Sequence, residues 1–246
     1  MRYFIELSYN GKAYHGWQRQ PNAISVQEVI EDALSKLLGT DISIVGAGRT
    51  DAGVHASQMF AHFDCSKRIE DDLVFKMNSF LPKDIAIHDI IEVQEEAHAR
   101  FDALSRAYEY KIVKNKAVFD FDYTYFLGYD LDVEIMNEAC KILFEYNDFQ
   151  CFSKVNTDVK TYHCTIMAAQ WVMQKDQLVF TIKADRFLRN MVRAIVGTMI
   201  NIGQGKITLD DLHNIIKSKD RSEAGYSVPA HGLYLKEIVY PETISI

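Results

Sequence analysis

The chain reads as an α+β protein of two related halves, with mainly antiparallel sheets flanked by helices and a cleft between the halves. Three observations carry that expectation. A run with a period of two opens the chain, and another stands near its middle. Three amphipathic stretches open on helix-capping residues. Strands and helices do not alternate strictly, as a parallel βαβ fold would require. With 246 residues, 48% hydrophobic and 25% charged, the chain can bury a core without disulfides or metal.

Tyr3, Ile5 and Leu7 alternate with Arg2, Phe4, Glu6 and Ser8, so Arg2–Ser8 is predicted as a strand, ended by Asn10-Gly11. Ser25 and Glu28 have capping-box spacing, and Val26, Val29, Ile30, Ala33, Leu34, Leu37 and Leu38 form an apolar stripe. Gly39 stops that helix. Strands are expected at Ile42–Val45 and Met59–Asp64, on either side of the segment Gly46–Gly53. A similar order then restarts. Tyr108, Tyr110 and Ile112 alternate with Glu109, Lys111 and Val113, and Asp132 caps a helix carrying Val133, Met136, Cys140, Leu143 and Phe144. Further strands are predicted at Ile166–Met173 and Leu178–Ala184. A long helix is predicted from about Arg186 to Ile202, then a shorter one capped by Thr208 and Asp211. Tyr234–Tyr240 is the closing strand. There is no residue-level repeat and no Pro/Gly-rich linker, so residues 1–105 and 106–246 are expected to be two halves packed together.

A net charge of −7 argues against a nucleic-acid partner only weakly, because a local basic stripe can supply the phosphate contacts. Cys65, Cys140, Cys151 and Cys164 show no CxxC spacing. Met1–Tyr9 is a strand-like alternation, not a charged cap before an apolar run. Together these point to a reducing, cytoplasmic setting. No apolar run approaches the ~20 residues that span a bilayer, so no membrane is expected.

The chemistry is concentrated in Gly46-Ala47-Gly48-Arg49-Thr50-Asp51-Ala52-Gly53-Val54-His55. Glycines permit a tight backbone path, and they frame a cation and a carboxylate two positions apart. Such a loop can present an ionised Asp51 to a cleft while Arg49 holds its charge, as nucleophilic catalysis at an electrophilic carbon needs. A plain turn, with the Asp51 side chain bonding local amides, fits the spacing as well. A phosphate loop fits poorly: the segment is not GxxxxGK[ST], and Asp51 takes the last glycine position of GxGxxG. His55 and His62 lack metal-ligand spacing.

Gly48-Arg49-Thr50-Asp51-Ala52-Gly53-Val54-His55 resembles the signature of the tRNA pseudouridine synthase A family. Further blocks match in the same order: Tyr14-His15-Gly16-Trp17-Gln18-Arg19-Gln20, Ser25-Val26-Gln27-Glu28, Leu81-Pro82 with Asp84-Ile85, and Ala99-Arg100-Phe101-Asp102-Ala103. Arg106-Ala107-Tyr108-Glu109-Tyr110, Phe187-Leu188-Arg189-Asn190-Met191-Val192-Arg193 and Gly232-Leu233-Tyr234-Leu235 complete the series. The chain departs from the pattern at Tyr226-Ser227-Val228-Pro229-Ala230-His231, where the family usually carries more proline. The resemblance implies an active-site cleft between the halves, with Asp51 as the essential carboxylate. It also implies Tyr108 against the target uracil, Arg49 paired with Asp51, Arg193 facing that carboxylate and Leu233 as an apolar wall. The implied substrate is transfer RNA, at uridines 38, 39 and 40 of the anticodon arm, bound by a homodimer.

Converting uridine to pseudouridine breaks the C1′–N1 bond, turns the base and joins C1′ to C5, so no metal or organic cofactor is expected. The carboxylate can attack C1′ or C6, or assist removal of a ribose proton. Tyr108 would serve as a stacking platform, worth ~1–3 kcal/mol per base, although a strand-core tyrosine fits its pattern equally. Arg186, Arg189 and Arg193 at i, i+3 and i+7 are candidates for one helix face. Arg186 and Arg189 would contact phosphates and Arg193 would face the cleft; a solvated charged edge is the plainer reading. Two other classes compete: a non-catalytic RNA-binding module on the same scaffold, and a nucleotide-binding enzyme using Gly46–Gly53 for phosphates.

Overall fold

The N-terminal alternation forms strand β1 (Arg2–Tyr9). In the computed structural model, which describes residues 1–155 and 159–244, β1 belongs to the first of two units, Met1–Leu104 with Tyr234–Ile246. Ser25 opens α1 (Val26–Leu38) by accepting the Glu28 N–H at 3.2 Å, and Gly39 closes it at φ 67°. Glu28 also lies 3.8 Å from Arg19. After β2 (Val45–Gly46), strand β3 runs from His55 to Asp64, starting four residues before the strand expected at Met59–Asp64. Helix α2 (Leu73–Phe80) and strand β4 (Ile85–Val93) complete this stretch. Neither was expected, and α2 lacks a side-chain cap that would announce it.

β1 pairs antiparallel with β3 on one side and with β4 on the other. β2 pairs antiparallel with β3. The last strand, β9 (Leu233–Val239), joins β3 in parallel, with Tyr234 opposite His55 and Leu235 opposite Ala56. Ile5, Leu7, Ala61, Ile30, Ala33 and Leu34 are fully buried. Each large apolar side chain among them is worth about 1.5–3 kcal/mol.

The expected strand Ile42–Val45 shrinks to its last residue and Gly46. Ile42 and Ile44 are buried as a strand would bury them. Their amides, however, donate to Ser35 Oγ at 2.9 Å and Glu31 Oε1 at 3.0 Å, and Gln27 Nε2 donates to the Ile44 carbonyl. Side chains of α1 take the place of a ladder.

The second unit is Ser105–Leu233. Strands β5 (Ser105–Val113), β7 (Ile166–Gln174) and β8 (Gln177–Ala184) form an antiparallel sheet with β8 in the centre. The short β6 (Tyr125–Phe126) adds to β5 in parallel. Asp132 caps α3 (Val133–Leu143) through the Ile135 amide at 3.1 Å. Asn137 of α3 covers the β7 edge, taking the Trp171 N–H at 2.8 Å and donating to the Trp171 carbonyl. Trp171 stacks on Phe180 at 4.8 Å and donates through Nε1 to Met199. Thr208 and Asp211 form a complete capping box on α5 (Leu209–Ser218).

The long helix predicted from Arg186 is a correction. Helix α4 spans Met191–Gly203. Asp185 Oδ1 accepts the amides of Arg186 and Thr165, each at 2.7 Å, and Asn190 takes a left-handed φ of 69°. Both break the helical path, so Arg186 and Arg189 precede α4 and share no helix face with Arg193. Most of α4 is buried all round, as its apolar sequence requires. Among the described residues, no helix is long and apolar enough to cross a membrane.

Candidate active site

Residues 47–54 link β2 to β3 within the first unit. Gly46 lies under the Trp17 indole, where a Cβ would come within 2.3 Å of Nε1, and Gly53 has φ 78°. Gly48 has open space. The loop is held by the segment before α1: Trp17 N–H donates to the Thr50 carbonyl at 3.3 Å, and Gly53 N–H to the Tyr14 carbonyl at 3.3 Å. Asp51 closes a turn through its own carbonyl, which accepts from Val54 at 3.2 Å. Its side chain is half-buried.

The ion pair expected between Arg49 and Asp51 is not formed. Arg49 is exposed and, among the described residues, makes no ion pair. A pair in solvent would gain little against the entropy of ordering a long side chain. The two histidines are occupied by backbone. His55 Nδ1 accepts from Gly11 and its ring stacks on Tyr234, while His62 Nδ1 accepts from Ala99. Burial, then the neighbouring His98, lowers the His62 pKa to about 4.

In the second unit, Tyr108 and Tyr110 of β5 have different fates. Tyr110 is fully buried, and its hydroxyl donates to the Pro229 carbonyl at 2.8 Å; burial pushes its pKa up. Tyr108 is half-buried and meets Phe187 edge-on at 5.1 Å. Arg193 lies in the first turn of α4, where the helix dipole disfavours a cation. Its Nε is anchored on the Val228 carbonyl at 2.7 Å. That turn carries no acidic residue, and the side chain of its N-cap, Asn190, makes no capping bond to the helix amides. The local field therefore favours an anion. Leu233, 6% exposed, follows Gly232, which sits against the Tyr110 ring. The segment 228–233 thus ties Arg193, Tyr110 and Leu233 together.

Arg189 is exposed and Arg186 half-buried, with Nη1 of Arg186 on the Thr161 carbonyl at 3.3 Å. The Lys154 amide donates to the Arg189 carbonyl, which sets another cation beside this turn. Sequence reasoning missed the supporting residues Tyr9, Thr50 and Val228. The only signal for Tyr9 was an aromatic at the end of a strand, and Val228 gave none.

A family model described as tRNA pseudouridine synthase matches residues 7–102 and 139–241. The fold agrees with it, and the chain belongs to the tRNA pseudouridine synthase family. Within that family it is similar to proteins named tRNA pseudouridine synthase A. That of Parabacteroides distasonis is 56% identical over 246 residues, covering 99% of this chain and 97% of its own. Those of Bacteroides fragilis and Caldicellulosiruptor bescii are 50% and 38% identical, covering 99% and 96% of this chain and 98% of each relative.

Proposed function

We propose that this protein isomerises uridine to pseudouridine in the anticodon arm of transfer RNA, at positions 38, 39 and 40. Asp51 is the essential carboxylate. Tyr108 lies against the flipped uracil, Arg193 faces the reacting carboxylate and Leu233 walls the pocket. Arg49, which makes no ion pair among the described residues, meets the RNA and fills the space the nucleotide leaves. Arg186 and Arg189 contact phosphates. The enzyme works as a homodimer in the cytoplasm, where its substrate is, and needs no metal or organic cofactor.

The observation that carries this reading is Asp51 on a backbone loop fixed at several points, in a chain related along its whole length to tRNA pseudouridine synthases A. Extruding a stacked uridine costs a few kcal/mol, which contacts to RNA shape and phosphates supply.

The test is tritium release from tRNA labelled at uridine C5, since C5 loses its hydrogen when it bonds C1′. Wild type releases tritium, whereas Asp51→Ala releases none and keeps tRNA affinity within about tenfold, roughly 1.4 kcal/mol. Multiple turnover by purified Asp51→Ala would refute the assignment. Binding of tRNA by the wild type without release would leave a non-catalytic RNA-binding module.

A further inference from the structure

Thr50, the residue before Asp51, is held on both its backbone and its side chain. Its carbonyl accepts from the Trp17 amide, and its hydroxyl meets the Tyr9 phenol at 2.8 Å. Gly16 approaches so closely that a Cβ would stand 2.4 Å from the Thr50 carbonyl oxygen and 3.2 Å from the Asp51 carbonyl carbon. Tyr9 is 4% exposed, at the end of β1, with its ring beside the buried Trp17 at 6.1 Å. A buried phenol needs a partner, but a backbone carbonyl would do, as it does for Tyr110 on Pro229 and Tyr240 on Ala99. The Tyr9 phenol meets a side chain one residue from the proposed nucleophile.

We propose that Tyr9 and Thr50 are a positioning pair for the reaction, locking the peptide that precedes Asp51 so that its carboxylate has one reactive orientation. The inference rests on Asp51 being the essential carboxylate. A displacement of about 1 Å in a reacting group can cost on the order of 10²-fold in rate, and rotamers locked by supporting hydrogen bonds are what prevent it. With either hydroxyl removed, the Thr50 carbonyl stays anchored but its side chain is released. Asp51 then spends most of its time out of line with the ribose or base. Substrate binding, which uses other surfaces, is unaffected.

Tyr9→Phe keeps the ring and Thr50→Val keeps the shape, so both variants retain the packing of the loop. Single-turnover tritium release is measured at saturating tRNA for each, for the double variant and for Thr50→Ser, alongside KM and the thermal midpoint. Each single variant should lose about ten- to a hundredfold in rate with KM within about twofold. The double variant should be no slower than the worse single, because the hydroxyls act as one unit. Thr50→Ser should restore most of the rate lost in Thr50→Val. Wild-type rates in Tyr9→Phe or Thr50→Val would overturn the pair, as would multiplying losses in the double variant or a Thr50→Ser as slow as Thr50→Val. Losses in KM alone would overturn it too. Asp51→Ala in the same assay separates the two readings: turnover there sinks the nucleophile assignment, whereas an inert Asp51→Ala beside unaffected Tyr9 and Thr50 variants sinks only the pair.

Discussion

Arg193 and Val228 hold each other twice: the guanidinium Nε donates to the Val228 carbonyl at 2.7 Å, and the Val228 amide donates to the Arg193 carbonyl at 3.3 Å. One bond fixes the side chain and the other fixes the turn that presents it. The segment carrying Val228 is itself tied down, because Arg221 reaches Ser227 Oγ and the Gly225 carbonyl while Asn190 donates to Ser227 Oγ.

That arrangement predicts a loss of rate, not of binding, when Arg193 changes. Arg193→Ala should lower the single-turnover rate by about 10²–10³-fold, the usual cost of removing one preorganised electrostatic partner. Arg193→Lys should recover little, since a lysine ammonium cannot replace the planar guanidinium anchored through Nε. Single-turnover rates and tRNA affinity for both variants check this. A change in affinity alone would move Arg193 out of the reaction site.

Arg186 and Arg189 lie before α4, on a turn joined to Lys154. A chain of net charge −7 cannot draw tRNA by its whole field, so local cations must do so. Arg189→Ala should weaken tRNA binding and lower the slope of log affinity against log salt by about 0.7–0.9. Arg186→Ala should act the same way. Unchanged slopes in both variants would remove this turn from the RNA track.

His62 predicts a pH dependence of stability. It is 5% exposed, accepts the Ala99 amide at 3.1 Å and lies edge-on to His98 at 4.6 Å. Its folded pKa of about 4 lies below its ordinary 6.5, through burial first, then the charges of His98 and Arg2, with Asp64 and Asp102 opposing. The unfolded chain therefore binds this proton more readily than the folded one. The stabilisation is complete above about pH 6.5 and is lost as the pH falls towards 4. Burial also lowers His98, which strengthens the trend. Thermal midpoints from pH 7.5 to 4 should drop more steeply for wild type than for His62→Gln. Parallel curves would assign the acid sensitivity to other groups.

Metal chelation should leave the reaction intact. With tRNA folded beforehand, exhaustive EDTA treatment of the enzyme is expected to leave tritium release within about twofold of the untreated rate. Loss of activity restored only by a transition metal would contradict the proposed chemistry. The grounds are the absent ligand spacing around His55 and His62, each of which accepts a backbone amide through Nδ1.

The elements legible in the sequence are those whose signals are local. Ser25, Asp132 and the Thr208–Asp211 pair each bond amides within three residues, so sequence spacing alone locates their helices. Period-two runs likewise located β1 and β5, and strand-like segments located β7, β8 and β9. Partners distant in sequence left no such trace. Ile42 and Ile44 alternate like a strand, yet side chains of α1 receive their amides. Phe187 and Leu188 extend the apolar period of α4, but Asp185 and the left-handed Asn190 turn the chain before it can coil. At the candidate site, Asp51 stood out between glycines, and its likeness to a family gave it a role. The loop's supports were hidden because Tyr9 and Trp17 are remote in sequence from Thr50 and touch it only through the fold.

The parallel pairing of β9 with β3 has a consequence for how the protein is made. His55 and Ala56 emerge from the ribosome long before Tyr234 and Leu235, their partners. At ~5–20 residues per second, the wait is roughly ten to forty seconds. Throughout that interval the growing chain holds one flank of β3 without the strand that will cover it, directly beside the loop bearing Asp51. Exposed strand edges of this kind are where nascent chains mispair. The sheet around the proposed nucleophile is thus finished only once Tyr234 and Leu235 have been made, and a chain cut short before them would carry Asp51 on an uncovered edge.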